Sequence, residues 1–338
     1  MIIPHIGKFK NINGVTCYMN SILHILQQIE PFIKYVISNL YLDILNTKDS
    51  NKKWLIIELS ELIKLSIHNN DSIITPNRFR KCIGYYDDMW LDNIQQDSSD
   101  FLGFLLSKLE EEVGINTYKI PKLFNYNNTN SNLISAYKSY INFYSKEYSP
   151  IKKMFTGFNK YNKICGYCNK ESIKYEPNNI LHLSIPDTHS DIELYDCFNY
   201  FITKTKMSND DLYNCESCKN KTFCYDQTLL WHLPNIIIIS LKRFNNNMQK
   251  NNTNIIYPEN NFNLSKYFDK ETPHAINNNY ELIAVNLHYS GNSINYGHYV
   301  SVIKNNNKWF LYDDSNPVIK VKSPQFKEAY LLFYKINI

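Results

Sequence analysis

The chain has 338 residues, enough for one large domain or two ordinary ones, and its 43% hydrophobic and 14% aromatic content is that of a well-packed globular protein. Its net charge is +4 and its basic residues form no strip, which gives nucleic-acid binding little support; no apolar run approaches the ~18–20 residues that span a bilayer. Met1-Ile2-Ile3-Pro4-His5 has neither the basic region nor the apolar core of a signal peptide, so a cytosolic or nuclear setting is expected, in which the eight cysteines serve metal binding or catalysis before disulfides.

Helices come first. Ile22, Ile25, Leu26 and Ile29 recur at helical spacing and predict a helix over 17–29. Leu55, Leu59, Leu62 and Ile63 predict a second over 54–67. Thr75-Pro76 reads as an N-cap followed by proline at the first helical position. Phe101, Leu102, Leu105, Leu106 and Leu109 predict a third from Asp97 to Glu112. The Asn-rich stretch 125–132 reads as a loop. From about 155 onward the pattern is that of strands, at 180–185, 228–231, 236–241, 280–288, 298–303, 308–312 and 329–334, with Asn-rich breaks at 245–254, 277–279 and 305–307. The expected class is α+β, with a site in the cleft between a helical half and a strand-rich half.

Three segments carry the chemistry. Cys17 opens the first helix within Asn13-Gly14-Val15-Thr16-Cys17-Tyr18-Met19-Asn20-Ser21. A helix N-terminus and a neighbouring imidazolium both favour a thiolate. His298 lies in Tyr296-Gly297-His298-Tyr299-Val300, and Asp313 and Asp314 follow Trp309-Phe310-Leu311-Tyr312. Nucleophile, base and orienting carboxylate are the parts acyl transfer needs. Each also has an ordinary reading: a buried thiol, a structural histidine, a turn. Their joint occurrence favours catalysis. Alternation along 308–312 puts Trp309 and Tyr312 on one face only if the strand bulges, so it does not decide which aspartate meets His298.

Cys165-Gly166-Tyr167-Cys168 and Cys215-Glu216-Ser217-Cys218 form two tight knuckles, which suit one closed structural Zn²⁺ site better than redox chemistry. The long separation between them, residues 169–214, predicts a β insertion within about 180–213. Cys82, Cys197 and Cys224 read as packed residues, with Cys224 near enough to Cys218 to act as a reserve ligand.

The segment around Cys17 resembles the cysteine box of the ubiquitin-specific proteases, the papain-like cysteine deubiquitinases of peptidase family C19. Gln95-Gln96-Asp97-Ser98-Ser99-Asp100-Phe101 resembles that family's Gln-Gln-Asp box. Leu233-Pro234, Ile236 to Ile239 and Leu241-Lys242-Arg243-Phe244 are similar to its Leu-Pro…Leu-Lys-Arg-Phe strand. Tyr280 to Ser315 resembles its histidine box, including His288, Gly291, Gly297-His298-Tyr299, Trp309 and Asp313. The boxes stand in family order over nearly the whole chain.

The resemblance implies a papain-like cysteine protease fold in a single catalytic domain: a helical thumb at about 1–150, a β-rich palm at about 151–160 and 233–338, and zinc-binding β fingers at about 160–232. It implies a thioester on Cys17 during hydrolysis after the C-terminal glycine of ubiquitin, with His298 as base and acid and Asp313 as third member, Asp314 being the fallback. It places Asp97, Asp100, Gln96, His288, Gly297 and Tyr299 at the substrate, ubiquitin as partner, a monomer, and Zn²⁺ on Cys165, Cys168, Cys215 and Cys218. The family's oxyanion-hole Asn falls on Ile12 by strict spacing, so either Asn11, with a one-residue bulge, or Asn13 is the donor. A weakly catalytic ubiquitin-binding module and a protease for a ubiquitin-like modifier are the rival readings.

Overall fold

The computed structural model describes residues 7–46, 53–68, 72–116, 131–187, 190–207, 212–245, 249–272, 279–293 and 296–337. The opening segment, the Asn-rich stretch 125–130 and parts of the breaks at 245–254 and 277–279 lie outside them. The helices come first, as α1 (Cys17–Leu26), α2 (Glu30–Ile37), α3 (Leu42–Asn46), α4 (Leu55–His68), α5 (Asn77–Gly84), α6 (Ser98–Val113), α7 (Ser131–Lys146) and α8 (Pro150–Phe155). Strands follow as β1 (Gly157–Cys165), β2 (Glu171–Asn178), β3 (Leu181–Ser184), β4 (Thr205–Met207), β5 (Cys224–His232), β6 (Ile236–Lys242), β7 (Asn279–Ser293), β8 (Tyr296–Asn305), β9 (Lys308–Tyr312), β10 (Ile319–Val321) and β11 (Ala329–Ile336). A further helix, α9 (Leu194–Phe201), lies between β3 and β4. No helix among the described residues is long and apolar enough to cross a membrane.

The central sheet runs β10-β9-β8-β7-β11-β6-β3, with the short strand Phe262–Asn263 also paired to β7. All its ladders are antiparallel except β6–β3. Both faces are covered, so the sheet interior is apolar without alternation. Ile236 and Ile238 enter the core shared with the helices, while Ile237 and Ile239 enter the second core, which includes Cys197 and Phe198 of α9. β9 is regular: Trp309 packs in the second core and Tyr312 in the first. They lie on opposite faces and no bulge is needed.

All ten residues of α1 are buried, so its polar residues are interior groups that must find partners. Asn286 on β7 supplies one set, donating to Ser21 Oγ (2.9 Å) and accepting from Ser98 Oγ (2.9 Å), which pins α1 and α6 to the sheet. α1 ends at Leu26, short of the expected Ile29, because α2 begins at once with Pro31 in its first turn. Pro76 takes the N-cap position of α5 itself, and Thr75 contributes its carbonyl, which accepts from Asn77 N–H.

A second sheet, β2-β1-β5-β4, is antiparallel throughout and carries the Cys165–Cys168 knuckle, while the Cys215–Cys218 knuckle turns a separate short hairpin, Tyr213–Asn214 with Lys221–Thr222. The connection between the knuckles differs from the expected all-β insertion. β3 leaves to join the central sheet beside β6, and α9 follows. Residues 181–184, expected in the fingers, therefore belong to the central sheet. α7 was absent from the sequence pattern because it buries only Ala136 and Tyr137 fully, leaning on an aromatic cluster with Phe158, Tyr175 and Trp231.

Candidate active site

Cys17 is the first residue of α1, and α1 packs against β8, which bears His298. β9 ends at Tyr312 and delivers Asp313 and Asp314 to the same point. His298 Nε2 lies 2.5 Å from Asp313 Oδ1 and 4.0 Å from Asp314 Oδ2. Asp313 Oδ2 is steadied by Asn316 Nδ2 at 2.9 Å. With Nε2 engaged by the carboxylate, Nδ1 is the ring atom left for the thiol. The Cys17 hydrogen bond is the largest influence on the imidazole; with Asp313, and against burial, it lifts His298 from its ordinary 6.5 to about 9. An imidazolium held between a thiol and a carboxylate is the poised acid of a thiol hydrolase.

Asp314 has another task. It is buried, sits in the left-handed region at φ 47°, and accepts from Asn11 Nδ2 and Asn20 Nδ2, both at 2.8 Å. Burial is the main cause that raises its carboxyl, against these two amides and His298. Asn11 also accepts from Thr16 N–H at 2.8 Å, so it bridges the turn before Cys17 to the aspartate. The extra residue in this loop is absorbed by a single 3-10 turn, Ile12–Gly14, in which Asn13 (φ 53°) and Gly14 (φ 71°) are both left-handed. That turn aims Asn13 away: its amide donates to Asn93 Oδ1 at 2.8 Å on the exposed rim. Of the two asparagines, Asn11 is the one brought to the cluster.

The expected substrate residues form a layered floor beside it. Asp97 N-caps α6, accepting from Ser99 N–H (2.6 Å) and Asp100 N–H (3.1 Å), while its other oxygen accepts from Tyr330 Oη (2.6 Å) and Tyr299 Oη (3.3 Å). Asp100 is exposed one turn on. Tyr299 and His288 are buried, and their rings pack at a 37° tilt with centroids 4.4 Å apart. Burial above all, with Lys250 and His298, lowers His288 to about 3, so its ring is neutral. Both side chains are thus buried beneath the surface where direct contact with the substrate was expected. A Cβ at Gly297 would meet His288 Nε2 at 2.3 Å, so glycine is what lets β8 pass over that ring. Gln95, beside Gln96, reaches the histidine strand, its Oε1 accepting from Gly297 N–H at 3.0 Å. Gln95 and Asn20 were missed in the sequence; only their adjacency to the motif residues marked them.

At the far end of the second sheet the two knuckles repeat one geometry. Cys165 C=O accepts from Asn169 N–H (3.0 Å) and Cys215 C=O from Lys219 N–H (2.8 Å), with Asn169 and Lys219 both left-handed. The four sulfurs lie within 4.8 Å of one another, with Cys165–Cys218 at 3.9 Å and Cys168–Cys215 at 3.7 Å. A tetrahedron of ~2.3 Å metal–sulfur bonds has edges of about 3.8 Å, so these thiols fit a metal ion. Cys224 faces Cys165 across the β1–β5 ladder but stands outside this group; it, Cys82 and Cys197 are buried.

A thiol, an imidazole and a carboxylate converging between a helical layer and a sheet define a papain-like cysteine hydrolase site. The family model for ubiquitin carboxyl-terminal hydrolase matches residues 8–334. The chain is 28% identical over 355 aligned residues to ubiquitin carboxyl-terminal hydrolase 5 of Saccharomyces cerevisiae, covering 95% of this chain and 44% of that protein. It is 27% identical to human ubiquitin carboxyl-terminal hydrolase 2, covering 96% and 54% respectively. The chain thus spans about half the length of these curated relatives. Among solved structures, the SAGA DUB module of Ubp8, Sgf11, Sus1 and Sgf73 bound to monoubiquitin shares the fold, with a TM-score of 0.72 at 22% identity over 98% of this chain and 69% of that one. The chain belongs to the ubiquitin carboxyl-terminal hydrolase family.

Proposed function

We propose that the chain is a deubiquitinase, hydrolysing peptide or isopeptide bonds after the C-terminal glycine of ubiquitin. The observation that carries this reading is the convergence of Cys17, His298 and Asp313, with His298 raised to about 9 by the first and third. His298 carries the proton taken from the Cys17 thiol, and Cys17 Sγ attacks the scissile carbonyl. His298 gives its proton to the leaving amine, and a thioester forms on Cys17. His298 then takes a proton from water, which attacks the thioester and frees the ubiquitin carboxylate. Asn11 keeps one amide hydrogen after its bond to Asp314 and supplies it, with the Cys17 backbone N–H, to the oxyanion; such a donor is typically worth about 10²–10³ in kcat. Asp100, exposed beside the floor, meets the basic tail of ubiquitin, and Asp97 fixes the helix end that carries it. Residues 1–150, 151–160 with 233–338, and 160–232 act as thumb, palm and fingers, except that β3 and α9 pack with the palm. Cys165, Cys168, Cys215 and Cys218 hold Zn²⁺, a closed set of four thiolates with a structural role.

Cys17→Ala tests the reading. It should abolish turnover of a fluorogenic ubiquitin substrate while leaving ubiquitin binding unchanged, since a thiol-to-methyl change at a buried position is small. Equal activity of the variant sinks the assignment. A panel of ubiquitin and ubiquitin-like proteins bearing C-terminal electrophiles should label Cys17 with ubiquitin alone. Labelling by another modifier instead would redirect the substrate.

A further inference from the structure

His24 is a buried titratable group that the mechanism above does not use. It is 1% exposed; its ring reaches towards the Asp314 backbone, but neither nitrogen completes a hydrogen bond of good geometry. Burial lowers it to about 4, against the opposing pull of the Asp314 backbone and the Asp313 charge, so the ring is neutral at working pH. Its place on α1 is informative. Residues 17, 20 and 24 stand at i, i+3 and i+7 and share one helix face. On that face Cys17 meets His298, and Asn20 donates to Asp314 Oδ1 (2.8 Å) and to Phe9 C=O (3.4 Å). His24 sits between the rings of the same two segments, with centroids 4.9 Å from Phe9 and 5.1 Å from Tyr312, each tilted by 35°. Tyr312 is the last residue of β9, and the chain turns directly from it into Asp313 and the left-handed Asp314. The height of Tyr312 on α1 therefore sets where both carboxylates stand relative to the thiol.

We propose that His24 is a positioning residue for the Asp313–Asp314 turn, acting through its ring packed at a tilt against Tyr312 and not through its nitrogens. The ring works as a spacer between the nucleophile's helix and the strand that ends at the triad carboxylate. A misplacement of about 1 Å in such a constellation can cost on the order of 100-fold in rate.

The proposal rests on the hydrolase reading above, and its test separates the two. The wild-type chain must first turn over a fluorogenic ubiquitin substrate; failure there concerns that reading alone. His24→Ala and His24→Phe are then compared, with active sites titrated by a ubiquitin electrophile so that kcat refers to folded enzyme only. His24→Ala should lower kcat at least 10-fold with KM within twofold, and should shift the alkaline limb of the kcat profile that reports His298. His24→Phe keeps the ring and discards the nitrogens, and should restore kcat to within threefold of wild type and return the limb. If His24→Ala loses titratable sites but keeps kcat and the limb, the residue is only packing and the proposal fails. If His24→Phe is as impaired as His24→Ala, the contact of a ring nitrogen with the Asp314 backbone matters and the ring-packing account is wrong.

Discussion

Two adjacent carboxylates divide the work at the site. Asp313 lies against the imidazole, whereas Asp314 is turned to the amides of Asn11 and Asn20. Replacing them should therefore give different kinetic signatures. The His298 value is raised above its ordinary 6.5, so its protonated form contributes stability fully below pH 6.5, and that contribution is lost as pH rises through about 9. In the proposed mechanism the acid that would protonate the leaving amine is lost over the same rise. Asp313→Ala removes one of the groups that raise His298, so the alkaline limb of kcat should move to lower pH. Asp313→Asn should keep more turnover than the alanine variant, since an amide oxygen still accepts from the ring N–H, but should move the limb in the same direction. Asp314→Ala should lower kcat by freeing Asn11, with a smaller effect on the limb. If only the Asp314 variant moves the limb, the two roles are exchanged. Cys17, His298 and Asp313 were legible in the sequence because reactive residue types stand there in recognisable runs. Asn20 and Gln95 were not, because a buried amide is defined by its partner, and the partners Asp314 and Gly297 are some two to three hundred residues away in the chain.

Elements were legible where one periodicity governs burial. α4 and α6 show an apolar stripe and appear where the pattern predicts them. The β8–β9 hairpin turns on Asn306 and Asn307 at φ 49° and 57°, the two left-handed positions that asparagine tolerates, and the Asn-rich break announced it. α7 and α9 were lost for opposite reasons: α7 has a half-buried aromatic face in a polar sequence, and α9 is eight residues long within strand-like surroundings. Beneath α7, β1 makes a contact that no periodicity reveals. Lys160 on this strand is paired with Asp269 at 3.0 Å, with side chains 9% and 8% exposed. The Asp269 N–H is bonded to Leu230 C=O on β5, so the pair ties the second sheet to the segment preceding β7. Removing one buried partner strands the other charge, which typically costs about 3–5 kcal/mol. Lys160→Met should lower stability by that order in urea unfolding, and Lys160→Met with Asp269→Leu should recover most of it. Single variants that each cost under about 1 kcal/mol would show that water already screens the pair.

Across the whole molecule the apolar interior is unevenly shared. The helices and the central sheet hold two large cores, whereas the second sheet has a small aromatic cluster at its base. Along its outer half the rows carry Lys163, Glu171, Lys174 and Lys206, all exposed, with little to bury beneath them. Hairpin-like strands without a core are marginal in water, so something else must close that end. The four thiols stand there, joining the turn at 165–168 to the turn at 215–218, and metal binding at such a set is folding energy for the segment it closes. Purified protein should therefore carry one zinc per chain. Stripping it with a chelator, or replacing Cys168 by Ser, should release amide protection first over 157–178 and 213–232, while β6 and β11 stay protected by the packed cores on both their faces. Labelling of Cys17 by a small alkylating agent should change little, because the thiol and its partners belong to α1, β8 and the turn after β9. Zinc-free protein with full protection in β1 and β5 would mean that the knuckles close without metal. Loss of protection spreading at once into β6 and β11 would mean instead that the two sheets unfold as one unit.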